Sequence, residues 1–189
     1  MTSPTPARER ILAAYEDLLI NEGPRGATLD AVTALAEVSK GGLLYHFKNK
    51  EALAAGLIAK LRELADLDLQ KMAADADGPS RYLVRESVYV GSELDRALIG
   101  VVRLAQANDP AASDLLRSIH RSWYDLVHQE VGDPVIARAI VLLGDGLYYN
   151  EGLPGGWPQD KDRSSEASVQ QLLQVVDLLK AQAAAAAKG

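Results

Sequence analysis

Cysteine is absent from this chain of 189 residues. Its absence excludes a disulfide framework, a thiol nucleophile and every thiolate metal site. Histidine is nearly as scarce: only His46, His120 and His128 occur, too few for a histidine cage around a metal ion. His120 and His128 stand two helical turns apart, too distant to share an ion without other ligands. No Gly-x-Ser-x-Gly elbow and no glycine-rich phosphate loop ending in Gly-Lys-Ser/Thr occurs. Ser118, His120 and Asp125 have the residue types of a hydrolytic triad, but crowding within one helix denies them its geometry. The chain is therefore expected to be no enzyme and to use neither cofactor nor metal.

Long apolar runs are lacking as well. No window of eighteen apolar residues is free of charge, and MTSPTPARERILAAYEDLL has no basic stretch followed by an apolar core. The expectation is a cytoplasmic protein with no membrane partner. Strand-type alternation bounded by hairpin turns is also missing, so only helices announce themselves. With 48 % hydrophobic residues a real core is within reach and disorder is a poor global reading.

The net charge of −6 argues against nucleic-acid binding until its distribution is read. Residues 1–50 hold six basic and six acidic side chains; residues 51–189 hold fourteen and twenty. The acidity therefore belongs to the larger C-terminal part. Lys40 to Lys50 carries three lysines, His46 and no acid, and a phosphate-binding surface requires only such a local patch.

Along the chain, Ile11, Leu12, Tyr15, Leu18 and Leu19 make one stripe of a helix over 8–22, stopped by Gly23, Pro24 and Gly26. Thr28 caps a short helix over 29–36 with Val32, Leu35 and Ala36 facing inward, and Ser39 caps the next, over 40–46. Two short helices joined by a tight turn form a helix-turn-helix unit. Longer helices are predicted over 50–74, 80–91, 93–107, 110–131 and 133–152, with Asp109–Pro110 and Asp133–Pro134 as cap and first-turn proline. Residues 153–166 read as a long loop. A last helix starts near 167, and its alanine tail is expected to fray.

The block TLDAVTALAEVSKGGLLYHFKNKEAL, residues 28–53, closely resembles the helix-turn-helix signature of the TetR family of transcriptional regulators. Leu35 and Ala36, the Val38-Ser39-Lys40-Gly41 turn, Tyr45-His46-Phe47 and the Lys50-Glu51-Ala52-Leu53 exit carry the likeness, and the helix before them fits too. The rest of the chain is similar only in length and helical layout.

The resemblance implies an all-α fold in two domains. Residues 1–50 would be a three-helix DNA-binding module, and 51–189 a helical domain for effector binding and dimerisation. Helix three would enter the major groove of double-stranded DNA. The last two long helices would join those of a second copy in a four-helix bundle, and a small-molecule effector would alter the separation of the two reading heads. The expected function is a ligand-released transcriptional repressor on a palindromic operator. The alternative is a helical ligand-binding or scaffolding dimer without specific DNA binding.

Roles on the reader follow residue by residue. Thr28 offers a hydroxyl at a helix start, Lys40 reaches phosphate or a guanine edge, and Tyr45 and His46 contact backbone or bases, unless Tyr45 is partly buried or His46 is a local structural cap. Lys50 clamps a phosphate, Lys48 is either a second contact or a solvated charge, and Gly41 and Gly42 permit close approach. Leu43 and Phe47 belong to the core. Gly42 stands where the family more often has a small hydroxyl residue, and Leu44, placed to meet a thymine methyl, where an aromatic is usual.

In the larger part, Ile136, Ile140, Leu143 and Leu147 form one stripe and Val169, Leu172, Leu173, Val176 and Leu179 another. They either pack against a second chain or fill the core of one. Tyr89, Arg103, His120, Trp123, Tyr124, Tyr148 and Tyr149 are the large or polar residues suited to a mostly apolar effector pocket, or to ordinary packing.

Overall fold

A computed structural model describes residues 6–152 and 165–186. Residues 1–5 and 187–189, and residues 153–164 of the expected loop with Trp157 among them, lie outside the described residues. The elements are α1 (Ala7–Gly26), α2 (Leu29–Leu35), α3 (Lys40–His46), α4 (Lys50–Ala73), α5 (Pro79–Glu86), α6 (Glu93–Gln106), α7 (Pro110–Val131), α8 (Pro134–Gly152) and α9 (Ser165–Ala186).

Local chemistry sets the helix starts. Thr28 Oγ1 accepts from Ala31 N at 3.2 Å, and Ser39 Oγ accepts from Gly42 N at 3.0 Å. Asn49, Asp109 and Asp133 do the same for α4, α7 and α8. Ser92 and Asp95 form a reciprocal capping box on α6. The stop expected at Gly23 appears as a break within α1: Gly23 adopts φ 73°, and one further turn carries Pro24 to Gly26. The helix expected over 80–91 ends at Glu86, because Gly91 (φ 72°) and the Ser92 cap reserve the following residues for a connection. Leu35, expected inward, is 51 % exposed. Val32 and Ala36 hold the buried side of this short helix, and Leu35 lies beyond its edge.

The chain forms two compact units. One comprises residues up to Asp66 and Gly91–Ser118; the other comprises Leu67–Val90 and the chain from Ile119 on. These packing units differ from the division by role expected at residue 50, because α6 packs along α1. In the first unit Ile11, Tyr15 and Leu19 of α1 are buried with Leu53, Leu57 and Leu61 of α4 and Val101 of α6. Gly100 permits this approach, since a Cβ there would meet Leu57 Cδ2 at 3.0 Å. Glu16 is buried on α1, and Lys60 Nζ of α4 donates to it at 3.0 Å. Arg96 of α6 pairs with Asp17 of α1.

The second unit has its own core of Met72, Tyr82, Val84, Val127, Ala137, Ile140, Val141, Val169, Leu173 and Val176. A polar junction closes one end of it. The buried Ser80, in the first turn of α5, donates through its backbone N–H (2.7 Å) and its hydroxyl (2.6 Å) to Glu130 Oε2 of α7. Lys180 of α9 donates to Glu130 Oε1, and Arg81 pairs with Asp177 of α9 at 2.6 Å. Gly78 (φ 88°) leaves the carboxylate room, as a Cβ there would collide with Glu130 Oε1.

Burial pushes the Glu130 carboxyl upward, but the donors Lys180 and Ser80 outweigh it and hold the group below the usual carboxylate range. Its contribution to stability is therefore full above the ordinary carboxylate range of the unfolded chain and is lost as pH falls through the lower folded value. Glu130→Ala is expected to cost about 2–3 kcal/mol in urea unfolding at neutral pH. Glu130→Gln is expected to flatten the acid limb of the stability–pH curve, and an unchanged limb would assign acid sensitivity to other groups.

Candidate nucleic-acid interface

The recognition helix α3 has only seven residues, too few to be stable in isolation. Its packing holds it. Leu43 is fully buried and Phe47, at its C-cap, is 4 % exposed. The Phe47 ring lies against Gly56 of α4, where a Cβ would come within 2.8 Å of it, and Arg8 of α1 sits over the ring at 5.5 Å. The side chains between these anchors turn outward. Leu44 is 40 % exposed and Tyr45 85 %, and His46 is exposed with its ring edge-on to Tyr45 at 5.1 Å. Gly41 has nothing within 4 Å of a Cβ position, and a Cβ on Gly42 would meet only Ser39 Oγ, at 3.2 Å. Thr28 and Lys48 are exposed.

Two lysines of the expected phosphate patch already have intramolecular partners. Lys40 Nζ donates to Asp30 Oδ1 of α2 at 2.9 Å. Lys50 is partly buried and its ammonium donates to the Pro24 carbonyl, at the break that ends α1. Its first role in the fold is thus to tie the end of α1 to the start of α4. Asp30 was not singled out from the sequence. Its place ten residues before Lys40 gives no helical register, because a turn separates the two.

The residues expected around an effector fall unevenly. Arg103 belongs to the first unit and donates to Gln106 on its own helix at 3.3 Å. The other six lie in the second unit. Tyr148 meets the rings of Tyr89 and Tyr149 edge-on at 6.2 and 6.4 Å. On α7, His120 lies edge-on to Trp123 at 5.4 Å, and Tyr124 stacks on His128 at 5.5 Å. His120 Nε2 is 3.4 Å from Asp145 Oδ1 of α8.

A carboxylate missed by the sequence reading organises part of this group. Trp123 Nε1 donates to Asp68 Oδ2 at 3.0 Å, and Tyr82 Oη donates to Oδ1 at 2.9 Å. Burial pushes the Asp68 carboxyl up, and the two hydrogen bonds only partly offset it. The signal was present: Asp68 stands between Ala65 and Met72 on the buried stripe of α4, where an acid requires partners.

The two stripes proposed for self-association divide in the same way. Ile140, Val169, Leu173 and Val176 are core residues of the second unit, and Ile136, Leu143, Leu147, Leu172 and Leu179 pack half-buried against them. Among the described residues, the large apolar side chains open to solvent on these helices are Val135, Leu142 and Tyr149 of α8, and Val175 and Leu178 of α9.

Among the described residues no group of acids and histidines is arranged to hold a metal ion, and no helix is long and apolar enough to cross a membrane.

Comparison with known proteins bears on the whole of this architecture. Residues 11–57 match the model of bacterial regulatory proteins, tetR family, and residues 77–177 match that of the tetracyclin repressor-like C-terminal domain. The HTH-type transcriptional regulator UidR of Escherichia coli (strain K12) is 27 % identical over 136 residues, covering 70 % of this chain and 68 % of its own. GusR of Salmonella enterica has a similar fold, with a TM-score of 0.59, 21 % identity and coverage of 97 % and 96 %. So does the multidrug binding protein EbrR complexed with malachite green, with a TM-score of 0.63, 22 % identity and coverage of 93 % and 98 %. A helix-turn-helix with a core-anchored, outward-facing recognition helix, followed by a helical domain matched over 77–177, makes this chain a DNA-binding regulator rather than an enzyme, and it belongs to the tetR family of bacterial regulatory proteins.

Proposed function

We propose that the protein is a ligand-released repressor of the cytoplasm, working as a homodimer on a palindromic operator. Residues 1–50 read DNA, and residues 51–189 bind the effector and pair the subunits. The observation that carries this reading is the division of α3 into buried Leu43 and Phe47 and outward Leu44, Tyr45 and His46. A helix anchored on one side and bare on the other is suited to a major groove about 12 Å wide. Thr28 retains a hydroxyl hydrogen to donate to phosphate, and Lys48 supplies an exposed charge. Lys40 reaches phosphate after leaving Asp30. Gly41 and Gly42 keep the start of α3 slim against the duplex, and Lys50 positions the reader by holding α1 to α4.

A recognition helix of seven residues covers few base pairs, and a two-fold partner doubles them by reading a half-site about 34 Å away. Val135, Leu142 and Tyr149 recur every seventh residue on α8, and Val175 and Leu178 are three apart on α9. These exposed residues, flanked by half-buried Ile136, Leu143, Leu147, Leu172 and Leu179, suit a seam with a second copy. The deeper Ile140, Val169, Leu173 and Val176 support that seam from within each chain.

The effector is a small, partly apolar molecule. Tyr89, His120, Trp123, Tyr124, Tyr148 and Tyr149 bring rings and hydrogen-bonding edges into one unit. The complex of EbrR with malachite green supports a small-molecule effector in this fold. Ligand binding biases the dimer toward a head spacing that the operator does not match, to the extent that the ligand prefers that state.

Selection from genomic fragments should recover a two-fold symmetric site, bound at least tenfold more tightly than random duplex in moderate salt. Lys48→Ala should weaken operator and random DNA alike and lower the salt slope by about 0.9 for each phosphate left without its cation; a change in base preference would instead put Lys48 at a base edge. Equal binding to operator and random duplex would favour a ligand-binding or scaffolding dimer. Leu178→Glu should shift the dimer to monomer in sedimentation and abolish operator binding at nanomolar protein. Compounds that dissociate the operator complex should alter Trp123 emission in a Trp157→Phe background, and an effector that leaves it unchanged binds elsewhere.

A further inference from the structure

Within α3, KGGLLYH, Lys40 is the only lysine or arginine. Its ammonium is 2.9 Å from Asp30 Oδ1, and the pair stands open to water, with 63 % of the lysine side chain and 79 % of the aspartate exposed. From Thr28 to His46 the two acids Asp30 and Glu37 outnumber this one cation, so the helix-turn-helix carries −1 with His46 neutral. Lys50, the next cation of known partner, is committed to the Pro24 carbonyl. The reader therefore approaches a polyanion with the one permanent charge of its recognition helix already matched by a carboxylate.

We propose that Asp30 is an intramolecular stand-in for a DNA phosphate. It occupies the Lys40 ammonium in the free protein, and a phosphate must displace it on docking. An exposed ion pair is weak and readily exchanged, so Asp30 lowers affinity without blocking the site. Once displaced, its carboxylate stays within reach of the Lys40 ammonium and competes with the phosphate to recapture it. Both effects act on the backbone of any duplex, so Asp30 sets how tightly the protein holds DNA in general and leaves base preference to other side chains. Asp30 is a positioning residue that works through Lys40, and the inference rests on the DNA-reading role proposed above.

The test uses the full-length protein with fluorescently labelled operator and random duplexes of equal length, titrated over a range of salt. Four proteins are compared: wild type, Asp30→Asn, Lys40→Met and the double variant, with Asp30→Ala as a second removal of the charge. Thermal melts establish that each is folded. Asp30→Asn and Asp30→Ala are expected to tighten both duplexes by the same factor, roughly two- to fivefold, with a steeper salt dependence. In the Lys40→Met background most of that gain should vanish. Unchanged or weaker binding on removing Asp30, a gain confined to operator, or a gain undiminished without Lys40 would each overturn the proposal while leaving the DNA-reading role standing. If wild type binds operator no better than random duplex, sequence-specific reading fails; a Lys40-dependent gain on random DNA would still support Asp30's role. If none of the proteins binds any duplex at low salt, both fall.

Discussion

Everything the reader can do depends on the Phe47 ring seated between α1 and α4. It is the single phenylalanine of the chain, and it meets Gly56 of α4, whose missing Cβ leaves the space it occupies. Leu12 of α1 approaches the same glycine, and Arg8 lies over the ring. With Leu43 one turn earlier, this packing turns a marginal seven-residue helix into a fixed element. The outward aim of Leu44, Tyr45 and His46 follows, because side chains at 100° intervals cannot share the buried face. A Cβ at position 56 would stand 2.8 Å from the ring, so the ring or the backbone would have to shift.

The two units deal with buried charge differently. In the first, Glu16 lies within an apolar layer and is answered by Lys60, while Asp17 and Arg96 form a second, more open pair between the same helix and α6. In the second, Asp68 and Glu130 each draw donors from separate helices: Tyr82 and Trp123 for one, Ser80 and Lys180 for the other. A carboxylate removed from water has to be answered in this way, and each answer specifies which helices lie together. The balance of terms differs between the two. Desolvation prevails at Asp68, whose carboxyl is raised, and hydrogen bonding prevails at Glu130, whose carboxyl is lowered.

Charge on the reading surface is handled with similar economy. Lys40 and Lys50 looked alike in the sequence, as members of one basic patch. In the structure, one is an exposed ammonium paired with the Asp30 carboxylate, and the other is a half-buried tether on a backbone carbonyl at the end of α1. Residue type and spacing were the same kind of evidence for both; the difference lies in what the preceding helices place opposite them.

The sequence by itself determined the features that depend on near neighbours. The caps at Thr28, Ser39, Asp109 and Asp133, the break at Gly23, the helix-turn-helix and its buried Leu43 and Phe47 were all legible, because each rests on interactions within a few residues. The tertiary structure alone decided which side of each apolar stripe is covered. Leu35 lies outside and Ile140, Val169, Leu173 and Val176 inside, since a periodic pattern gives the direction of a face and not the element that meets it. It likewise decided that Asp30 faces Lys40 and that Asp68 receives Trp123, pairs that the folded path of the chain brings together and that no local spacing encodes.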